Sequence, residues 1–183
     1  MNASARNSRR IRSWIGKLRV SDIFSLRFGN RRSFGLAAAF VASSARGYSE
    51  EETEQRRKGY GPLGRPPRAA TGAPGLHPDR ENDPVLIARL RGMQRRLGRE
   101  VRARQAALVR RDGYADLERI ACPSLVVACR QDRLRRFAET ERMAQCLPHA
   151  SFKVIEDCGH MAPLERPHEL AALLAGWIRG HSL

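Results

Sequence analysis

Asp132 and His160 are the two residues of this chain whose types and positions could carry out acid–base chemistry. Each follows a short apolar run, SLVVAC ahead of Asp132 and SFKVIE ahead of His160. A carboxylate beside an imidazole fixes its tautomer, so that the imidazole can take a nucleophile's proton and return it to a leaving group. Either residue alone is often only a helix cap or a solvated loop residue. Together they indicate two-thirds of a nucleophilic triad.

The elements around this pair are predicted to alternate between strand and helix. Strands are predicted over Ser124–Cys129 and Ser151–Glu156, and helices over Phe137–Leu147 and Pro167–Arg179. The last helix has apolar residues at the i, i+3, i+4, i+7 and i+8 spacing of an amphipathic helix. Buried strands joined by helices imply an α/β fold with a parallel sheet. Ligands bind such sheets beyond the carboxyl ends of the strands, where both site residues are expected.

The upstream half of the chain is predicted to be helical with a long loop. The apolar run at residues 35–45 fits either a buried strand or the middle of a helix. Ser49 and Glu52 form a capping box that starts a helix near Glu50. Residues 59–84 are rich in proline and glycine and are predicted to be a loop.

Two more helices are expected after that loop. Asp83 caps the first, which has Pro84 at its first position and apolar residues at helical spacing. The second is predicted over about Arg99–Arg111.

Composition excludes some classes of protein. Apolar residues make up 42% of the 183, which is enough for a core. No apolar run approaches the ~20 residues of a membrane-spanning helix, so no membrane partner is expected. The net charge of +15 is uneven: residues 1–120 hold 26 basic and 12 acidic residues, whereas residues 121–183 hold 8 and 7. A basic arm of this kind could bind phosphate-rich partners.

All four cysteines lie in the last third of the chain and form no C-x-x-C pair. With no secretory apolar segment, they predict reduced, buried thiols in a cytoplasmic protein. A zinc site formed by Cys122, Cys129, Cys158 and His160 is an alternative by residue type, although its spacing matches no closed zinc motif. No metal and no cofactor is therefore expected.

The stretch from Asp116 to Trp177 resembles the C-terminal third of the α/β-hydrolase fold family. The segments DLERIACPSLVVACRQD and LPHASFKVIEDCGHMAPLERP, followed by the closing helix, carry the resemblance. In that family the aspartate after the penultimate strand and the histidine after the last strand are the triad acid and base. The resemblance therefore implies those roles for Asp132 and His160, and a small-molecule ester or acyl substrate.

A weaker resemblance extends upstream and sets the expected domain boundaries. LAAAFVASSARGYSEEETEQRR is similar to the strand after the family's nucleophile helix, and GMQRRLGREVRARQAALVRRDGYADL is similar to the end of its lid. Residues 117–183 are then the core that carries the acid and base, and 35–116 a strand with a lid-like helical region. Residues 1–34 are predicted to be a basic segment, disordered or read out of frame from a GC-rich gene.

The nucleophile of the family is not found in this sequence. The family places a serine in a G-x-S-x-G elbow, followed in the chain by the aspartate and then the histidine. Ser33 in RRSFG is the nearest candidate, but Arg31 stands where a small residue is needed and the apolar run begins almost at once. No His-Gly segment for an oxyanion hole precedes it. We therefore expect a partial α/β-hydrolase fold that lacks its nucleophile and is inactive alone.

Two other functions remain open. The chain could be a non-enzymatic protein whose basic arm binds nucleic acid or an acidic partner, although no nucleic-acid motif is present, which argues against nucleic acid. It could also pair through an apolar strand edge near residues 36–42 with a polypeptide that supplies the missing strands.

The remaining polar residues near the pair are expected to have structural or surface roles. Glu165 in PLERP is predicted to be a structural loop carboxylate. Asp157 could orient the neighbouring loop of His160, but a surface role is favoured. Solvated positions are expected for the other histidines, namely His77, His149, His168 and His181.

Overall fold

A computed structural model describes residues 23–30, 33–60 and 73–181 of the chain. Its four strands form one sheet in the order β1-β2-β3-β4, with helices packed on the sheet. The strands are β1 (Ile23–Asn30), β2 (Ser33–Val41), β3 (Ser124–Cys129) and β4 (Ala150–Ile155). The helices are α1 (Glu50–Tyr60), α2 (Pro84–Ala106), α3 (Tyr114–Leu117), α4 (Phe137–Gln145), α5 (Ala162–Glu165) and α6 (Pro167–Gly180), with a 3₁₀ turn at Pro78–Arg80.

Strands β2, β3 and β4 are parallel, as the strand–helix alternation predicts. Ala38 pairs with Ser124 across β2 and β3, and Ser124 pairs with Ala150 across β3 and β4. The ambiguous apolar run at residues 35–45 is therefore a strand over most of its length. Every residue of β3 is buried, because β3 has a strand on each side and side chains packed on both faces. The predicted α/β fold with a parallel sheet and flanking helices is confirmed.

Two apolar clusters form the core, one on each face of the sheet. Leu125 and Val127 of β3 face α6, where they join Leu170 and Trp177. Val126 points to the opposite face, into the cluster that contains Leu117, Met143 and Leu147. This alternation follows from the two-residue period of a strand and places a helix on each face.

Strand β1 is an addition that the sequence did not predict. Residues 23–30 fall in the segment expected to be disordered or out of frame, and they run antiparallel to β2 from Ile23 opposite Phe40 to Asn30 opposite Ser33. The free strand edge expected near residues 36–42 is therefore wrong for the residues up to Phe40. The backbone groups on that side of β2 are paired with β1 instead of being open to a partner.

The predicted helix starts are confirmed at two capping sites. The Ser49 N–H donates to Glu52 Oε2 at 2.9 Å while the Glu52 N–H donates to Ser49 Oγ at 3.1 Å, which is a complete capping box for α1. Asp83 Oδ1 accepts from the N–H groups of Val85 and Leu86 at the start of α2.

The helix predicted to begin at about Arg99 does follow a break, at Gly98, that separates it from the first part of α2, but it is shorter than predicted. Gly98 interrupts α2 with a φ of 72°, a conformation that favours glycine, and the helix ends at Ala106. The next residues pair with the backbone after β2 instead: Tyr48 N–H donates to Arg110 O, and Gly113 N–H donates to Ala45 O, both at 2.9 Å. These hydrogen bonds compete with continuation of the helix.

None of the helices in the described part of the chain is long and apolar enough to cross a membrane.

Candidate active site

Asp132 lies in the turn after β3 and its carboxylate is held by backbone. Its Oδ1 accepts from the N–H groups of Leu134 and Arg135, both at 2.8 Å. The side chain is 0% exposed, so the carboxylate is shielded from water. Two backbone donors on one oxygen keep the group oriented and leave Oδ2 for a partner.

The partner of Asp132 is His160, which lies in the loop after β4. His160 Nδ1 lies 2.9 Å from Asp132 Oδ2. An acceptor-only carboxylate favours the tautomer with the proton on Nδ1, which leaves Nε2 free to accept another proton. The imidazole is 22% exposed, so it is accessible while its aspartate is not. The structure thus brings together the two residues that the sequence singled out.

Parallel pairing of β3 and β4 explains why residues 28 positions apart meet. The strands are in register from Ser124 opposite Ala150 to Cys129 opposite Ile155, so their following loops leave the sheet side by side. Gln131 then joins the loops: its N–H donates to Cys158 O at 2.9 Å, and its Oε1 accepts from Cys158 N–H at 3.0 Å. No pattern in the sequence indicates this role of Gln131.

Glu165 anchors the loop that carries His160. Its Oε1 accepts from Gly159 N–H at 3.0 Å, and its Oε2 accepts from His77 N–H at 2.8 Å. The carboxylate is 0% exposed and also pairs with Arg80, 3.2 Å away. The structure therefore gives Glu165 contacts that suit a structural carboxylate: it ties the residue before His160 to His77, which lies 88 positions upstream of Glu165.

Gly159 is required at its position by close approach. A Cβ there would lie 2.4 Å from His77 N and 2.4 Å from Leu76 C, which are both backbone atoms. Only a residue without a side chain lets the two backbones come so near. The Gly-His pair in the sequence therefore reflects contact with a distant segment as well as a tight turn.

Asp157 is half-exposed and also contacts two arginines, whereas His77 departs from its predicted surface position. Asp157 has a φ of 47°, and its carbonyl oxygen accepts from Arg80 Nη2 at 2.6 Å and from Arg166 Nε at 2.9 Å. Its half-exposed carboxylate forms ion pairs with the same two arginines. The His77 prediction is wrong, because this histidine is buried, with Nε2 3.3 Å from Asp157 Oδ1. The other three histidines are exposed.

The cysteines do not converge on a metal site. Cys122 packs in the cluster on one face of the sheet, and Cys129 and Cys158 pack on the other. A hydrogen bond with Cys158, together with burial, raises the pKa of the Cys129 thiol well above its ordinary range. Burial also raises the pKa of Cys122. Within residues 23–30, 33–60 and 73–181, no three His, Cys, Asp or Glu side chains are arranged to hold a metal ion.

Ser33 lies at the wrong end of the sheet to serve as nucleophile. It is the first residue of β2, paired with Asn30, whereas Asp132 and His160 follow the carboxyl ends of their strands. The nine residues of β2 place its two ends about 26 Å apart. Among the described side chains, none forms a hydrogen bond with His160 Nε2. The Asp132–His160 pair is therefore assembled with no partner on its outer nitrogen among the residues that the structure describes.

Three solved structures illustrate the fold that this chain shares. An esterase from Thermogutta terrifontis, solved with malate bound, is 28% identical, with a TM-score of 0.63; the match covers 78% of this chain and 55% of the esterase. The enol-lactonase from Burkholderia xenovorans LB400 is 21% identical, with a TM-score of 0.64 and coverage of 77% and 55%. A 2-hydroxy-6-oxo-6-phenylhexa-2,4-dienoate hydrolase from Rhodococcus sp. strain RHA1 is 19% identical, with a TM-score of 0.56 and coverage of 77% and 54%.

The comparisons also show how much of the relatives' length this chain covers and which of its residues match the family. The chain spans about 55% of the length of the first solved structures that it matches. No curated protein matches it. The family model for the alpha/beta hydrolase family matches residues 13–173, which includes most of the segment 1–34 that the sequence resemblance left out. With that match over most of its length, and with the fold and loop positions already described, the chain belongs to the alpha/beta hydrolase family.

Proposed function

We propose that Asp132 and His160 are the acid and base of an acyl hydrolase that acts on small carboxylic esters. The observation that carries the proposal is the 2.9 Å contact between a fully buried carboxylate and a partly exposed imidazole. A carboxylate that is held by two backbone N–H groups and is shielded from water stabilises the imidazolium formed during proton transfer.

The sequence of proton transfers follows from this geometry. His160 Nε2 takes the proton of a nucleophilic hydroxyl as its oxygen forms a bond to the acyl carbon. The carbonyl oxygen becomes the oxyanion of a tetrahedral intermediate. The C–O bond to the alcohol then breaks, and Nε2 returns the proton to the departing alkoxide. Water repeats the cycle to release the acid. Asp132 holds the Nδ1 proton throughout and does not take it up.

The ester class rests on the most similar of the three solved structures. At 28% identity over 78% of this chain, the Thermogutta protein is called an esterase in its description. The two relatives at 21% and 19% identity share the fold and do not narrow the substrate further.

We expect the chain alone to turn over esters slowly or not at all. In the described residues, no hydroxyl or thiol contacts His160 Nε2, and Ser33 lies near the opposite end of the sheet. The nucleophile and the oxyanion donors supply much of the rate enhancement in this class of enzyme.

The test combines turnover with the protonation state of His160. In the full chain, nitrogen-15 NMR should show the Nδ1–H tautomer of His160, with a far-downfield proton that disappears in Asp132→Asn. Any hydrolysis of p-nitrophenyl acetate should disappear in His160→Gln and persist in His168→Gln, which changes an exposed histidine on α6. Loss of the acid in a serine-protease triad lowers kcat about 10⁴-fold, so a large effect is expected for Asp132→Asn.

Two results would contradict the proposal. One is hydrolysis that survives both Asp132→Asn and His160→Gln, because the pair would then not be the acid and base. The other is a wild-type chain whose His160 carries its proton on Nε2, because that tautomer cannot accept the proton of a nucleophile. A serine-directed fluorophosphonate that labels the chain at Ser33 would overturn the expectation of little turnover.

A further inference from the structure

Three arginines surround the ring of Tyr48, and we refer to Arg56, Arg110 and Arg135 as the arginine cluster. Their guanidinium carbons lie 4.8, 5.7 and 5.6 Å from the ring centroid, respectively. Arg56 belongs to α1, Arg110 to the segment after α2, and Arg135 to the turn that follows β3. Three separate parts of the chain therefore bring positive charge to one aromatic ring.

Two members of the arginine cluster form no direct ion pair, although the Glu52 carboxylate lies near enough to interact with the charge of Arg135. Within the described residues, neither Arg56 nor Arg135 forms an ion pair with a carboxylate, and the Nε atom of each is buried with no hydrogen-bond acceptor. The nearby Arg46 is different, since Glu52 accepts from both of its terminal nitrogens at 2.9 and 2.7 Å. A buried N–H without an acceptor is costly, so the cluster is suited to receive an anion.

The pKa of the Tyr48 phenol responds to the positive charges that surround its ring. Its phenol oxygen accepts a hydrogen bond from Arg135 Nη2 at 2.7 Å. Burial by itself raises the pKa of the phenol, but the charge and hydrogen bond of Arg135, with the charges of Arg56 and Arg110, lower that pKa below its ordinary value. The surroundings therefore favour negative charge even on a group that is normally neutral.

The arginine cluster is connected to the acid–base pair through Arg135. The backbone N–H of Arg135 donates to Asp132 Oδ1 at 2.8 Å, and the other oxygen of that carboxylate contacts His160. Tyr48 follows the carboxyl end of β2, and Arg135 follows that of β3. In open α/β sheets this is the edge where ligands bind. The cluster and the pair are thus on the same edge of the sheet and share one turn.

We propose that the arginine cluster binds a carboxylate group carried by the substrate, so that the esters cleaved at His160 are acidic ones, such as monoesters of dicarboxylic acids. This rests on the proposed function. Guanidinium groups bind carboxylates through paired N–H donors, and such charge-assisted bonds are stronger than neutral ones.

Binding at equilibrium tests the proposal without turnover. The full chain is titrated by calorimetry with monomethyl succinate, which has one carboxylate and one ester, and with dimethyl succinate, which is neutral and otherwise matched. We expect saturable binding of the monoester only. Arg56→Gln should weaken it roughly tenfold or more, because a hydrogen bond to a charged group is lost.

The neighbouring Arg57 provides a matched control. Arg57→Gln makes the same change in charge on the same helix, at a side chain paired with Glu54 and not with Tyr48. We expect its affinity for monomethyl succinate to stay within about twofold of wild type, since an exposed charge contributes little. Arg135→Gln is a second variant of the cluster, with circular dichroism as the check that each protein is folded.

Several outcomes would overturn the proposal. Equal weakening by Arg56→Gln and Arg57→Gln would mean general attraction to a basic surface. Equal binding of the diester would mean that the carboxylate is not recognised. Tighter binding of inorganic phosphate, lost in Arg56→Gln, would assign the cluster to a phosphate ligand instead. Failure of carboxylate binding leaves the His160 tautomer and turnover unchanged, so the two proposals fail separately.

Discussion

The loop that carries His160 and the helix α2 differ in the space around their glycines and in how their arginines are paired. In the loop, a Cβ on Gly159 would meet backbone at 2.4 Å, and Arg80 and Arg166 are paired with Asp157 and Glu165. Helix α2, in contrast, contains seven arginines and only one acidic residue, Glu100. The difference follows from position: the loop must hold the His160 imidazole in place, whereas most side chains of α2 are exposed to solvent.

The largest effect should come from the same substitution made in both regions. Gly159→Ala should lower the free energy of unfolding by about 3 kcal/mol, because a methyl group cannot fit against the backbone of His77 and Leu76. Gly92→Ala should raise it by about 0.5 to 1 kcal/mol, since only arginine tips lie within 4 Å and alanine favours the helix. Urea denaturation measures both. Equal changes in the free energy of unfolding for Gly159→Ala and Gly92→Ala would contradict the difference between the loop and α2.

Glu165→Gln should have the next largest effect. It removes the charge that pairs with Arg80 and replaces one of the two oxygens that accept from Gly159 and His77 with an NH2 donor, which we expect to cost about 2 kcal/mol. The NMR signals of the His160 ring should also shift, because the loop that positions it has lost its anchor. Glu169→Gln, at an exposed position of α6, should change stability by less than about 0.5 kcal/mol. If Glu165→Gln changed neither the free energy of unfolding nor the NMR signals of His160, Glu165 would not anchor the loop.

A smaller effect is expected from pH at the capping box of α1. A hydrogen bond from Arg46 lowers the pKa of Glu52 from 4.5 to about 2. A depressed carboxyl pKa means that its stabilisation is fully present above pH 4.5 and is lost as the pH falls towards 2. Since the pair is about 40% exposed, the contribution should be below about 1 kcal/mol.

The comparison of Glu52→Gln with wild type measures this contribution as a function of pH. The two proteins should differ in unfolding free energy at pH 6 and converge near pH 2. Glu54→Gln, whose ion pairs on α1 are 3.8 and 3.9 Å long, should show a smaller difference throughout. A difference that grows on acidification would mean that folding raises the pKa of Glu52 instead of lowering it.

The smallest effect on stability should come from arginines of α2. Arg95→Gln and Arg96→Gln change exposed side chains, so each should alter the free energy of unfolding by less than about 0.5 kcal/mol. If the chain binds nucleic acid, as the alternative function supposes, each variant should reduce the salt dependence of duplex DNA binding by about one unit of slope. An unchanged slope would argue against contact between α2 and phosphates.

Local features were predictable because their causes lie within a few residues. The two helix starts depend on hydrogen bonds between residues three positions apart. Both starts are found as predicted, at Ser49 with Glu52 and at Asp83. The apolar run of β3 indicated a strand buried on both faces. The pairing of Asp132 with His160 could be predicted as well, because parallel neighbouring strands end at the same edge.

Other features depended on contacts that no short pattern encodes. The segment at residues 73–81 was expected to be part of a loop, yet it buries His77 and places Arg80 on Glu165 and Asp157. Strand β1 is different: Phe24, Leu26 and Phe28 alternate with Ser25, Arg27 and Gly29 as in a strand, but this pattern lies in a segment outside the resemblance that the motifs carried.

The sequence by itself determined the family, the order of the core elements and the two residues placed at the ends of neighbouring strands. Hydrophobic period, helix caps and loop motifs are sufficient for these, because they act over a few residues. Only the tertiary structure decided that Glu165 holds Gly159, that His77 is buried and that three arginines meet at Tyr48. Those contacts join segments far apart in the chain, and they exist because packing of the sheet and helices brings the segments within hydrogen-bonding distance.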